Sequence, residues 1–214
     1  MKLFINRGSS FEMKDSDRFY SPDLASDLFA RAAEFTLEKD CKKTIDYEML
    51  FVINQALKPF FVAIDTLGVK SLEGKVCLDL GCGCDPANDA RGKNSSNYSH
   101  KPWLARALHY LGAKVIGVDI GPLDKEEFEH YSLDLMKPGV LDFVKSSSAD
   151  MVHSNLLDCS PTLHKLYSRL RFDLPEILFP QIIRVMKPES AAITDMDFKA
   201  LEKKRKLQAI PYSP

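Results

Sequence analysis

The sequence predicts an α/β fold, in which a mostly parallel, doubly wound sheet of about five strands carries helices on both faces. Two observations support it. Short apolar runs, among them Val76–Leu80 and Lys114–Asp119, alternate with stretches of helical periodicity. The first run leads directly into Gly81 and Gly83, which is typical of a buried strand that ends in a tight turn of little side-chain bulk.

Acidic residues at the ends of the second and third runs indicate a ligand site. Asp119 ends the second run, and Asp134 follows the third run, at 128–133. The carboxyl ends of parallel strands meet in one crevice, where glycine amides can approach a polar ligand. A carboxylate there can accept hydrogen bonds from two ribose hydroxyls, so the pattern favours a bound nucleoside.

The motifs, taken in this order, resemble those of the class I (Rossmann-like) S-adenosylmethionine-dependent methyltransferases over about residues 74–197. The resemblance implies a Rossmann-like sheet in the strand order 3-2-1-4-5 and S-adenosylmethionine as the cofactor. The matching pieces are Leu-Asp-Leu-Gly-Cys-Gly at 78–83, Gly-Val-Asp-Ile at 117–120, Ser-Leu-Asp-Leu at 132–135, Ala-Asp-Met-Val-His-Ser-Asn at 149–155 and Ile-Arg-Val-Met-Lys-Pro at 183–188.

The resemblance also implies which residues bind the cofactor. Asp79 would help to hold its amino group and Asp119 its ribose, while Asp134, Leu135 and Ile120 would surround the adenine. Core packing is the alternative interpretation for Leu135 and Ile120. The complete predicted set is Asp79, Gly81, Cys82, Gly83, Asp119, Ile120, Asp134, Leu135 and Ser154.

No catalytic residue is identified from the sequence. His153, Asn155 and Asp158 lie where the fourth strand would meet the transferable methyl group, and they are candidate general bases by position alone. A histidine whose hydrogen bonds are satisfied in the core is the commoner alternative for His153.

The predicted reaction is in-line methyl transfer to a small-molecule acceptor, as the resemblance implies. The alternative is a catalytically incomplete domain that binds a nucleoside or a protein, because Cys84 replaces the third glycine usual in the family and little chain follows the fifth strand. A nicotinamide-dependent dehydrogenase is disfavoured, since Pro86 stands where its fingerprint needs a glycine.

Composition limits the partners. The 214 residues are 45% hydrophobic, enough for one α/β domain with an appendage, and 29 basic against 30 acidic residues make nucleic acid an unlikely partner. The five cysteines include no Cys-x-x-Cys pair, so we expect no metal site, no disulfide framework and a cytoplasmic location. Without a long apolar run, the protein is expected to be soluble and to have no membrane partner.

The chain is expected to divide into an N-terminal helical segment or lid, 1–73, and a Rossmann-like domain, 74–214. Helical periodicity at 21–37 and 47–67 supports the first part. Residues 86–100, rich in Asn and Ser, are expected to be an inserted loop after the glycine turn. Two interpretations remain open for this loop, a mobile flap over the ligand and a tolerated surface insertion.

Further elements complete the prediction. Helices are expected at 101–111 and 137–144, an exposed acidic stretch at 124–129, and a kink at Pro180 in a later helix. The C-terminal strands of the family are expected to be reduced or absent. The sheet edge left open would be covered by residues 2–6 or by another subunit, which would make a homo-oligomer.

Overall fold

The computed structural model of the protein describes residues 2–5, 72–84, 101–154 and 174–194. The helices predicted in the N-terminal segment, the loop predicted at 86–100 and the residues after 194 lie outside this part. The described elements are β1 (Lys2–Ile5), β2 (Val76–Leu80), α1 (Trp103–Tyr110), β3 (Lys114–Asp119), β4 (Glu129–Ser132), β5 (Ala149–Ser154), α2 (Leu174–Val185) and β6 (Met186–Thr194).

The strands form one six-stranded sheet in the order β1-β6-β5-β2-β3-β4, and every pair is parallel. If the strands β2 to β6 are renumbered 1 to 5 in chain order, the sheet read from β4 toward β6 has the order 3-2-1-4-5. This order confirms the predicted Rossmann-like α/β fold. The chain runs from β2 outward to β4 and then returns to β5 on the other side of β2. This reversal between β2 and β5 is the place where sheets of this type open a crevice for a ligand.

The edge of β6 is occupied by β1 of the same chain. Lys2 pairs with Ala191, and the ladder continues to Ile5 and Thr194. The sequence suggested that this edge is covered either by residues 2–6 or by another subunit. The structure shows the first of these, with β1 paired to β6.

The hydrophobic core between the sheet and α2 follows the alternation of the strands. Leu78 and Leu80 of β2 point to the same face as Ile116 and Val118 of β3, because every second strand residue lies on one face. This face packs against α2, in which Leu178 and Phe179 are fully buried. Burying a side chain of this size contributes about 1.5–3 kcal/mol, so this cluster is a main source of stability.

Helix α1 packs on β2 and β3. The helix follows β2, whereas α2 follows β5 on the other side of the reversal, and right-handed crossovers in opposite directions place the two helices on opposite faces. Trp103, Leu104, Ala107 and Leu108 of α1 are buried, as the periodicity predicted, and Ala105 and Arg106 between them are buried as well. None of the described helices has the length and apolar character needed to cross a membrane.

The prediction of a helix at 137–144 is wrong. This segment is a series of turns closed by bonds between residues three apart, such as Asp142 N to Gly139 O (2.9 Å) and Val144 N to Leu141 O (2.9 Å). Pro138 and Gly139 explain the difference, because Gly139 has a φ of 75°, which no helix contains.

Strand β6 begins earlier than the predicted 191–195. It follows α2 without a loop, and Ala149 pairs with Met186 while Met151 pairs with Ala191. The register therefore shifts between these two pairs, and Pro188, which has no N–H, lies in the part of β6 outside the regular ladder with β5.

Asp150 connects β5 to β2 and β6 at this shift in register. Its Oδ2 accepts hydrogen bonds from the amide of Val76 (2.9 Å) and from Nζ of Lys187 (2.7 Å). Burial alone would raise the pKa of Asp150, but the bonds from Lys187 and Val76 outweigh it and hold the pKa below the ordinary 3.8. The ionised carboxylate therefore stabilises the folded sheet.

Asp150→Asn is expected to lower the free energy of unfolding by about 1–2 kcal/mol at neutral pH, because a neutral amide replaces the charged acceptor. Since the folded pKa lies below the unfolded one, the contribution is complete above 3.8 and is lost as the pH falls through the folded value. Urea unfolding should show the gap between the two proteins narrowing in acid. Asp142→Asn, on a side chain 78% exposed, is the control, and a gap independent of pH would contradict the assignment.

Candidate functional site

The glycine turn after β2 is fixed to the neighbouring strand. Gly81 and Gly83 have φ values of 77° and 110°, which residues with a Cβ atom rarely adopt. The carbonyl of Val118 accepts hydrogen bonds from the amides of Gly81 (2.7 Å) and Cys82 (3.3 Å). The turn is thus held at the carboxyl end of β3, beside Asp119.

Asp119 contacts this turn directly. Its Oδ2 accepts the amide of Gly83 at 3.0 Å, and its Oδ1 accepts the amide of Gly121 at 3.3 Å. Burial raises the pKa of Asp119, while the amides of Gly83, Gly121 and Ile120 act in the opposite direction. Each carboxylate oxygen has more than one acceptor site, so the carboxylate retains capacity for further donors such as two hydroxyls.

Cys82 fills the space left by Gly117 of β3. A Cβ on Gly117 would lie 2.9 Å from Sγ of Cys82 and 3.0 Å from Cε2 of Phe128, closer than such atoms approach. Burial raises the pKa of the Cys82 thiol well above its ordinary value, so this sulfur is an unreactive packing group. Cys84 is also buried and does not have a positive φ, so its place in the usual third-glycine position causes no backbone strain.

Asp134 and Leu135 are connected to the site through the backbone. The amide of Leu133 donates to the carbonyl of Asp119 (2.8 Å), and Oδ1 of Asp134 accepts the amide of Met136 (3.0 Å). Leu135 is 5% exposed and belongs to the core cluster beneath α2. Its contacts are therefore those of the core-packing alternative, whereas Ile120 is partly exposed.

Asp79 and His153 form a buried pair across the reversal of the sheet. They are register partners on β2 and β5, and Oδ1 of Asp79 lies 2.7 Å from Nδ1 of His153. The two residues are 2% and 8% exposed, and within the described ranges Nε2 of His153 has no hydrogen-bond partner. Ser154, at the end of β5, is buried as well.

Sequence reasoning missed this pair. It treated Asp79 as a ligand for an amino group and His153 as a separate candidate. A signal was present, because the predicted order places β2 beside β5, and both residues stand one position before the end of their strands. The register of β2 against β5, in which Asp79 and His153 are partners, would have been needed to predict the pair.

His130 was also not predicted. It lies opposite Gly117 in the ladder of β3 and β4, and its Nε2 is buried with no partner among the described residues. Burial lowers the pKa of His130, although Asp119 and Glu126 act to raise it. The imidazole therefore favours its neutral form close to Asp119.

Two of the predicted catalytic candidates, Asn155 and Asp158, lie outside the described residues. In the described part of the chain, no group of His, Cys, Asp and Glu side chains has the arrangement of a metal site. The site is thus described by the glycine turn, Asp119 and the Asp79–His153 pair. Comparison of the chain with protein-family models and with curated proteins finds no match.

Proposed function

We propose that the protein is an S-adenosylmethionine-dependent methyltransferase that acts on a small-molecule acceptor. The observation that carries the proposal is the contact between the amide of Gly83 and the carboxylate of Asp119. It joins a glycine turn and a strand-end acid at the crevice beside the sheet reversal, where a nucleoside ligand of this fold would bind.

The described residues fit the cofactor. Asp119 would accept hydrogen bonds from both ribose hydroxyls, and the turn 81–83 offers a close approach of main chain to the methionyl part. Asp134 and Ile120 would lie toward the adenine, and Ser154 toward the methyl group. When bound, S-adenosylmethionine supplies a methyl group on a sulfonium, which a nucleophile displaces in line. The chain contributes mainly by holding the acceptor at near-attack distance, which is worth up to about 7–11 kcal/mol.

The acceptor class and location belong to the same proposal. A net charge of −1 offers no broad attraction for a polyanion, which favours a small molecule over nucleic acid as the acceptor. Cys77, Cys82 and Cys84, the cysteines in the described part of the chain, form no disulfide, and reduced cysteines are usual in the cytoplasm.

A second candidate is a nucleoside- or protein-binding module without catalysis. It is favoured by the engagement of Asp79 with His153, since a carboxylate so occupied has less capacity for the cofactor's amino group. The glycine turn and Asp119 would still bind the nucleoside in this case. Binding with no methyl transfer would therefore distinguish the module from the enzyme.

Isothermal titration of the full chain with S-adenosylmethionine and S-adenosylhomocysteine tests the proposal. We expect saturable binding of both with one site per chain, and no binding of NAD under the same conditions. Binding of neither nucleoside would overturn the proposal, and binding of NAD alone would favour a dehydrogenase.

A further inference from the structure

We propose that His153 is the general base of the transfer, held in its proton-accepting tautomer by Asp79. The acceptor is then a molecule that must lose a proton, with a hydroxyl or an amino group as its nucleophile. This inference depends on the proposed function and deepens it, because it assigns a role to a pair that cofactor binding does not explain.

The position of the pair is the first argument. Asp79 and His153 lie on the two strands that flank the reversal, one residue before each strand ends. The crevice where the cofactor would bind opens at the same strand ends. His153 is thus among the described polar groups nearest to the expected place of reaction.

The hydrogen bond to Asp79 determines the tautomer. The Asp79 carboxylate accepts at 2.7 Å, so Nδ1 is the nitrogen that carries the proton in the neutral ring. Nε2 then has a free lone pair. A doubly protonated ring would instead leave a charged N–H buried without a partner among the described residues, which costs more than an unpaired lone pair.

Among the described residues, two cysteines that interact with Asp79 add no charge to the pair. Cys77 and Cys82 interact electrostatically with Asp79, but burial raises the pKa of Cys77 to about 12 and that of Cys82 well above its ordinary value, so both are neutral thiols. On the side of β6, Ile193 is the register partner of His153 and carries no charge.

Methyl transfer and proton transfer together involve three groups, the acceptor, the sulfonium of the cofactor and His153. A lone pair of the acceptor's oxygen or nitrogen forms the bond to the methyl carbon as the carbon–sulfur bond breaks, and the electrons of that bond remain on sulfur as a neutral thioether. The acceptor's proton passes to Nε2 of His153. The resulting imidazolium is stabilised by Asp79, which acts as a positioning residue.

Nε2 of His153 is shielded from solvent, and the residue as a whole is 8% exposed. A water-poor setting favours a base, since no water competes for its lone pair. Binding of the acceptor must therefore open a path to Nε2, and methylation of an acceptor that loses a proton would show that it does.

The tautomer is tested first, by long-range ¹H–¹⁵N spectra of ¹⁵N-histidine-labelled protein with S-adenosylhomocysteine bound. We expect His153 to carry its proton on Nδ1, and Asp79→Asn to move it to Nε2, because the side-chain amide introduced by this substitution would donate to Nδ1. The His153→Asn variant assigns the signal by its loss. A wild-type ring protonated at Nε2 would overturn the proposal.

Catalysis is tested with radiolabelled S-adenosylmethionine and three probes. Catechol and ethanolamine must lose a proton on methylation, whereas benzoate need not. His153→Asn keeps a donor for Asp79 but has no atom at Nε2, so we expect transfer to catechol or ethanolamine to slow by about 10²–10⁴-fold. Any transfer to benzoate should be nearly unchanged.

Further readouts separate a base from a structural residue. The acid side of the pH profile should disappear in His153→Asn, while the affinity for S-adenosylhomocysteine should stay close to that of the wild type. Equal rates in both proteins would overturn the proposal. A wild-type protein that binds the nucleoside but methylates neither catechol nor ethanolamine would also overturn the proposal, while the proposed cofactor binding would still hold. Absence of nucleoside binding would instead overturn the proposed function itself.

Discussion

Replacing Asp119 by asparagine is expected to weaken the binding of S-adenosylhomocysteine by about 10- to 100-fold, the effect of losing a charged acceptor for hydroxyl donors. The amide side chain keeps the shape of the carboxylate and one oxygen acceptor. It cannot accept the amides of Gly83 and Gly121 together and also accept both ribose hydroxyls. The loss should thus appear in affinity more than in folding.

Isothermal titration of wild type and Asp119→Asn measures this loss, with Asp142→Asn as the matched control on an exposed aspartate. The pH dependence adds a second readout. Hydroxyl donors bind the ionised carboxylate, so wild-type affinity should fall as the pH drops through the pKa of Asp119, which burial raises above 3.8. The variant should lack this fall, and equal affinities of the two proteins would show that Asp119 does not hold the ribose.

Glu126→Ala is expected to lower the free energy of unfolding by about 3–5 kcal/mol, the range for breaking a buried ion pair. Glu126 accepts Nε of Arg106 at 3.1 Å and Nη2 at 2.6 Å, and both side chains are 5% exposed. The substitution leaves a buried guanidinium without its bidentate partner. Because the pair joins α1 to the segment after β3, its loss should also loosen the chain next to Asp119.

Urea unfolding of Glu126→Ala, Arg106→Met and the double variant Arg106→Met/Glu126→Leu measures the pair as a cycle. We expect the double variant to regain much of the stability, since apolar side chains replace both charges. Glu127→Gln is the neighbouring control, on a side chain 63% exposed. A loss below about 1 kcal/mol in Glu126→Ala would indicate a pair of the weak, solvent-exposed kind.

Much of the fold was predictable because apolar runs record burial directly. The bounds of β2, β3 and β5 agree with the runs 76–80, 114–119 and 149–154. Asp119, which was expected at the end of β3 in the same crevice as the glycine turn, accepts the amide of Gly83. Both features depend on residues near strand ends, where periodicity and turn chemistry act together.

Features that depend on partners distant in sequence were not predictable. The acidic stretch 124–129 was expected to be exposed, but Glu126 is buried by its pair with Arg106, and Phe128 is buried as well. Periodicity gives no information on which charge meets which across different elements. The same limit hid the bond between Asp79 and His153, which are 74 residues apart.

The N-terminal strand has a consequence for how the protein is made. Lys2 pairs with Ala191, so partners 189 positions apart in the sequence (191 − 2) meet in one ladder. During synthesis, β1 leaves the ribosome before β6, so the ladder between them cannot form until β6 has been translated. Contacts of such long range slow folding, and β1 therefore joins the sheet only after β6 is available.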